Sequence, residues 1–309
     1  MMMVRTFRFV VVIGAVVLLN ACSSPGGRTP SQGPVIDGQA VADRLNARYV
    51  KTVANCAGQP AFLCSGITLR VLYPFNPNLQ PLDPTPTQIA RNGASFSFIR
   101  ADLGIKHLYQ GGWAGFTVDL QDPAGFVPLK ARCVFPTNGS TDDRPDSCGY
   151  AKPDMTPTLK SRSCAEQGID TAQAWGAHFN GLPDRRYSCA FDVSAKGFEL
   201  GMTSREFIPE DSERRTQWNE LVIASWTQAD VPRLPVEAMF YSQVDVPPFA
   251  FVQRHQCRIY FATGRRVPLL KLDLTQADGR VFSFNQADQI DFDAAPPACN
   301  YAPETSDKP

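Results

Sequence analysis

A chain of 309 residues, 43% of them hydrophobic, can bury a sizeable core as one large domain or two small ones. Thirty basic residues balance thirty acidic ones with no basic block, which excludes an electrostatic footprint for nucleic acid. No Walker loop, G-x-G-x-x-G or G-x-S-x-G occurs, so kinase, dinucleotide-fold and serine-nucleophile readings fall, while two-carboxylate glycosidases stay open.

Arg5 and Arg8 precede an apolar run from Phe9 to Leu19, too short to cross a bilayer but suited to a signal peptide. Leu19-Asn20-Ala21-Cys22 resembles the bacterial lipoprotein cleavage box, whose cysteine becomes the lipidated first residue of the mature chain. The resemblance implies a signal peptide over 1–21 and lipidation at Cys22. Ser23, rather than Asp, implies outer-membrane sorting, with the lipid as the only membrane contact and the domain facing the periplasm or the exterior. An ordinary secretory signal and a secreted product are the alternative. Residues 22–34 are rich in Gly, Ser and Pro and read as a disordered tether, 35–293 as a single globular domain, and 294–309 as a frayed tail.

Setting Cys22 aside leaves eight cysteines, an even number that reads as disulfides in an exported chain. Neighbours along the chain suggest Cys56–Cys64, Cys133–Cys148, Cys164–Cys189 and Cys257–Cys299. The lack of C-x-x-C, with only His107, His178 and His255 as histidines, argues against a metal site.

Val41, Leu45 and Tyr49 recur at helical spacing within 35–53. A strand over 66–73 is apolar on both faces except for Arg70, whose guanidinium needs either solvent at an edge or an anionic partner. Thr85-Pro86-Thr87-Gln88 is a capping box opening a short helix that Gly93 can close. Ala94 to Arg100 alternates strictly, Ser95 and Ser97 on one face, Phe96 and Phe98 on the other. Strands follow at 115–120 and 127–135, and Cys148 holds a long loop over 137–157. Asp170 to Gln173 is a second capping box, starting a helix that stacks Trp175 on Phe179 and leaves His178 partly exposed. A strand at 187–194 and a helical stretch at 196–207 lead to a charged, solvated and mobile approach over 206–215. Glu220 then opens an apolar strand running to Trp226. Further strands are expected at 238–241, 257–263, 267–274 and 280–284. Strands outnumber helices, which predicts an α+β fold with a mostly antiparallel sheet.

Arg70, Ser95 with Ser97, and Glu220 stand out in that order. The order resembles the Arg, Ser-x-Ser, Glu arrangement of cholera-toxin-like mono-ADP-ribosyltransferases. Gly66 to Arg70, Asn92 to Arg100, Ala177 to Asn180 with Arg186-Tyr187, Cys189 to Val193, Asn219 to Trp226 and Val267 to Leu272 also resemble halovibrin, a secreted bacterial family associated with ADP-ribosyl chemistry on NAD. The halovibrin resemblance spans roughly Cys64 to Gln289. It implies an ADP-ribosyltransferase-like core and NAD as substrate. Arg70 would pair with the diphosphate, Ser95 and Ser97 would brace the active-site strand, and Glu220 would stabilise the oxocarbenium-like cation as nicotinamide leaves. Transferases that modify protein side chains often carry Glu or Gln two residues before the catalytic Glu. Trp218 stands there in this chain, which leaves water or an unidentified acceptor as the nucleophile. Read without the resemblance, the chain is a disulfide-braced surface lipoprotein that binds a protein or glycan, with Arg70 in a structural ion pair and Glu220 a solvated strand end.

Overall fold

The structure, a computed structural model, describes residues 37–72, 82–109, 114–121, 128–139, 148, 163–183, 188–242 and 248–292. The leader, Cys22, the tether, Cys299 and the tail lie outside them.

Asp37 caps helix α1 (Gly38–Val50) by accepting from the Gln39 and Ala40 amides, and the expected face of Val41, Leu45 and Tyr49 is buried. A small hairpin, β1 (Asn55–Cys56) with β2 (Gln59–Pro60), is tied down by Cys56–Cys64. Strand β3 (Ile67–Val71) follows. Helix α2 (Pro86–Arg91) carries the expected capping box, Thr85 and Gln88 each accepting from the other's amide. Asn92, at φ 49°, closes it rather than Gly93, because an Asn side chain tolerates the left-handed region.

Strands β4 (Ala94–Ile99), β5 (Ala114–Val118) and β6 (Ala131–Phe135) come next. Helix α3 (Ala172–Gly181) is capped by Thr171, which accepts from the Ala174 amide; the start lies one residue beyond the Asp170 expected. Trp175 and Phe179 stack within it, ring centroids 4.8 Å apart. The strand expected over 187–194 is reduced to β7 (Phe191–Asp192), because Ser194 already caps α4 (Ala195–Thr203). Strand β8 (Glu220–Ile223) ends three residues before Trp226, and β9 (Val236–Ser242) follows.

The expected strand over 257–263 is instead the C-terminal half of helix α5 (Pro248–Thr263). Its Ile259-Tyr260-Phe261 run has strand composition, but so short an apolar run carries no decisive period. Burial of Val252, Gln256, Ile259 and Tyr260, at three- and four-residue spacings, goes with a helix. Strands β10 (Leu269–Leu272) and β11 (Phe282–Phe284) complete the chain.

Nine strands form one mixed sheet in the order β11-β10-β9-β5-β3-β4-β8-β6-β7. β9 and β10 run parallel, and the remaining neighbours run antiparallel. With five α-helices among the described residues the fold is α+β, braced by Cys56–Cys64, Cys133–Cys148 and Cys164–Cys189, the pairs expected from chain neighbours. α1 packs on β11, β10 and β3, and α5 on β9, β5 and β10. α4 sets Phe198 edge-on to both Phe62 and Phe98, and Gly201 leaves room for Val134 of β6.

The strand that positions everything below is β4. Ala94 to Phe96 pair with β8, whereas Ser97 to Ile99 pair with β3. One six-residue strand is thus shared end to end between two halves of the sheet, and Ser95 and Ser97 fall on either side of the hand-over.

Candidate functional site

β3, β4 and β8 are consecutive neighbours, so the strands bearing Arg70, Ser95 with Ser97, and Glu220 lie side by side. Alternation then sorts their side chains. Ser95 opposes Val222, and the register continues to Ser97 opposite Glu220, which puts the two serines and the carboxylate on one face. Leu69 opposes Ser97 and Thr68 opposes Phe98, which puts Arg70 on the other face, with Phe96 and Phe98.

The contacts follow this division. Ser95 Oγ donates to Glu220 Oε1 at 2.7 Å, and the Gly139 amide donates to Oε2 at 3.0 Å. Glu220 is 2% exposed, so it is a buried carboxylate held from both sides and not the solvated strand end of the bland reading. Ser97 is buried beside it at 5% exposure. Phe135, opposite Glu220 on β6, joins Cys133, Cys148, Ala190 and Val222 in a small separate core under the loop that carries Gly139.

Arg70 is not brought to Glu220. Its Nη2 donates to the capping-box amide of Gln88 at 2.9 Å, and the guanidinium lies 5.1 Å from the Trp226 ring and 5.9 Å from that of Phe96. Its Nη1 is buried without a hydrogen-bond partner among the described residues. Desolvation pulls its pKa down to about 10, and Asp83 acts in the opposite direction. The edge or anionic partner expected for this cation is therefore replaced by a neutral amide and two aromatic faces, with Asp83 felt through space. Strand alternation sets Arg70 and Glu220 on opposite faces of the sheet, which no reading of residue order alone would reveal.

Three further residues build the site. Asn219 is fully buried, and its side-chain amide accepts from the Phe98 N–H at 2.8 Å and donates to the Phe98 carbonyl at 2.7 Å. Arg205, 3% exposed, donates to the carbonyls of Leu103, Pro136, Arg215 and Gln217. Arg215 returns the gesture, donating to the carbonyls of Arg205, Glu206 and Ile208. The approach to Glu220, expected to be solvated and mobile, is thus fastened by two arginines while Glu206, Glu210, Asp211 and Glu213 face solvent. Burial lowers the Arg205 pKa to about 10, with Arg215 adding to the shift. Asn219 had one signal in the sequence, its place directly before Glu220; Arg205 and Gly139 had none.

His178 is half-buried on α3 and desolvation lowers its pKa. Among the described residues, no group of three His, Cys, Asp or Glu side chains gathers as a metal ion would require. A cavity of about 210 Å³ lies between α4 and the segment after α1, lined in part by Val53, Arg100, Asp102, Phe198 and Met202; its lining includes none of Arg70, Ser95, Ser97 and Glu220.

The disulfide Cys133–Cys148 closes a separation of 15 residues that contains Gly139. Replacing both cysteines with Ala should cost about 3 kcal/mol through loop entropy, read as a lower denaturant midpoint. A midpoint unmoved from wild type would mean that the loop over Glu220 is held by its packing alone.

Compared with known proteins, the chain matches no family model, no curated protein and no solved structure.

Proposed function

We propose that this chain cleaves the bond between nicotinamide and ribose in NAD, as a glycohydrolase or a mono-ADP-ribosyltransferase, with Glu220 as the catalytic carboxylate. The observation that carries the reading is the Ser95 Oγ to Glu220 Oε1 hydrogen bond, formed between residues 125 apart in the chain. It is the bracing of Glu by Ser that the resemblance implies. The adjacency of β3, β4 and β8 supports the finer fold reading, a mostly antiparallel ADP-ribosyltransferase-like core.

The chemistry asks little of the protein beyond charge and position. The ribose C1′–N bond breaks heterolytically and its electron pair neutralises the pyridinium nitrogen, so nicotinamide leaves without a general acid. A fixed carboxylate stabilises the ribosyl cation left behind, and one such electrostatic group is worth about 3 kcal/mol in a preorganised site. Water adds at C1′ and loses its proton to solvent, giving ADP-ribose; another acceptor in its place gives transfer. Ser95 orients Glu220, and Ser97 lies beside it on the same face. The reaction does not need Arg70 at the bond that breaks. The resemblance at Cys22 supports a reading in which this chemistry works at the cell envelope, the domain tethered by lipid. No helix among the described residues is long and apolar enough to cross a membrane.

A second reading is a non-enzymatic disulfide-braced domain that binds a protein or glycan, in which Glu220 is a buried structural carboxylate and not a solvated strand end; the 2% exposure of Glu220, which leaves little of it open to a ligand, favours it. Nicotinamide release separates the two. Wild-type chain with intact disulfides should release nicotinamide from NAD, and Ser95→Ala should do so about tenfold more slowly, the loss of one orienting hydrogen bond. No release from a cooperatively melting wild type would sink the enzymatic reading.

A further inference from the structure

Among the described residues, three side-chain amides take the place of a strand backbone. Asn46 of α1 accepts from the Phe282 amide and donates to its carbonyl, each at 2.8 Å. Gln289 does the same to Leu269, at 2.9 Å and 2.8 Å. Both serve β10 and β11, at one end of the sheet. The third, Asn219 on Phe98, lies inside the sheet, between two strands that already pair with each other.

Its position in the register explains what it does. Phe96 opposes Leu221, so two residues further along β4 the residue opposite Phe98 is Asn219 itself. In a continuing ladder the Asn219 backbone would bond Phe98. Here its side chain makes both bonds, so its backbone stands off from β4 by the length of that side chain. The two strands splay immediately before Glu220, yet the Phe98 amide and carbonyl, both buried, stay satisfied. The splay falls where β4 passes from β8 to β3, next to Ser97 and Glu220.

We infer that Asn219 is a positioning residue: it wedges β8 away from β4 at this point, opening the sheet beside Glu220 while holding the carboxylate within reach of Ser95. The inference rests on Glu220 being the reacting carboxylate. Met202 Sδ, 3.7 Å from the Asn219 Nδ2, backs the amide from α4 and fixes which end donates. An Asp at 219 keeps the acceptor for the Phe98 N–H but loses the donor to the Phe98 carbonyl, whereas Ala loses both.

The test uses the full disulfide-bonded chain as wild type, Asn219→Asp and Asn219→Ala, with two readouts: the chemical shift of the Glu220 side-chain carboxyl, labelled with ¹³C and read at neutral pH, and steady-state nicotinamide release from NAD. The expected result is a displaced Glu220 carboxyl resonance in both variants, and kcat lowered about tenfold with KM within about twofold. Should Asn219→Ala fail to fold, Asn219→Asp, nearly isosteric, decides alone. A Glu220 carboxyl shift and a kcat both unchanged in a folded variant overturn the inference. A wild type without turnover overturns the enzymatic reading instead, and the Glu220 carboxyl shift still decides whether Asn219 positions the carboxylate.

Discussion

Glu220→Gln should lower nicotinamide release from NAD by about a hundredfold or more while leaving the melting temperature within about 2 °C of wild type. The two halves of this expectation have separate causes. Glutamine has the shape of glutamate, and its amide oxygen can accept from the Gly139 N–H while its NH₂ donates to Ser95 Oγ, which turns from donor to acceptor. Both buried contacts survive, the one to Gly139 unchanged and the one to Ser95 with its direction reversed, so the fold loses little. The negative charge is gone, and with it the attraction for a ribosyl cation. Release at the wild-type rate from this variant would remove Glu220 from the reaction.

Arg205→Ala should have the larger effect on the fold, with a loss of about 4 kcal/mol and a fall in melting temperature of roughly 10 °C. The guanidinium is buried, and its bonds to Leu103, to Pro136, and to Arg215 and Gln217 tie its own segment to three other stretches of chain. Truncation leaves those carbonyls without their donor in a dry environment. Arg205→Lys should fall between the two, because an ammonium has three donors but no planar fork to span the four oxygens. A melt within about 1 °C of wild type for Arg205→Ala would show that water replaces the side chain without cost.

How far the sequence foretold this arrangement depended on the kind of signal each part carried. Local chemistry was legible: the Thr85 box opens α2, the Val41, Leu45, Tyr49 spacing gives α1, and cysteines pair with chain neighbours. Where two local codes overlap, as in the β-branched and aromatic stretch of α5, the strand expectation failed because tertiary packing chose the helix. Glu220 was visible as the carboxylate heading an apolar run, and its partner Ser95 as a hydroxyl on an alternating strand. Their meeting is a matter of which strands neighbour which, and that is not written locally. Arg70 shows the limit most clearly. Its anomaly as a cation in an apolar strand was visible, but the partner it takes was not, and the face it occupies depends on the registers of β3 with β4 and of β4 with β8. Neither register can be read from residue order, and together they set Arg70 and Glu220 on opposite sides.

The clamp made by Arg205 and Arg215 has one further consequence. Every partner of these two guanidiniums in the segment leading to Glu220 is a backbone carbonyl and none is a carboxylate. Peptide dipoles do not titrate between neutral pH and strong acid, and buried contacts with them are little weakened by dissolved salt. The frame around Glu220 should therefore hold its shape in brine or in an acidified medium, where a loop fastened by ion pairs would let go.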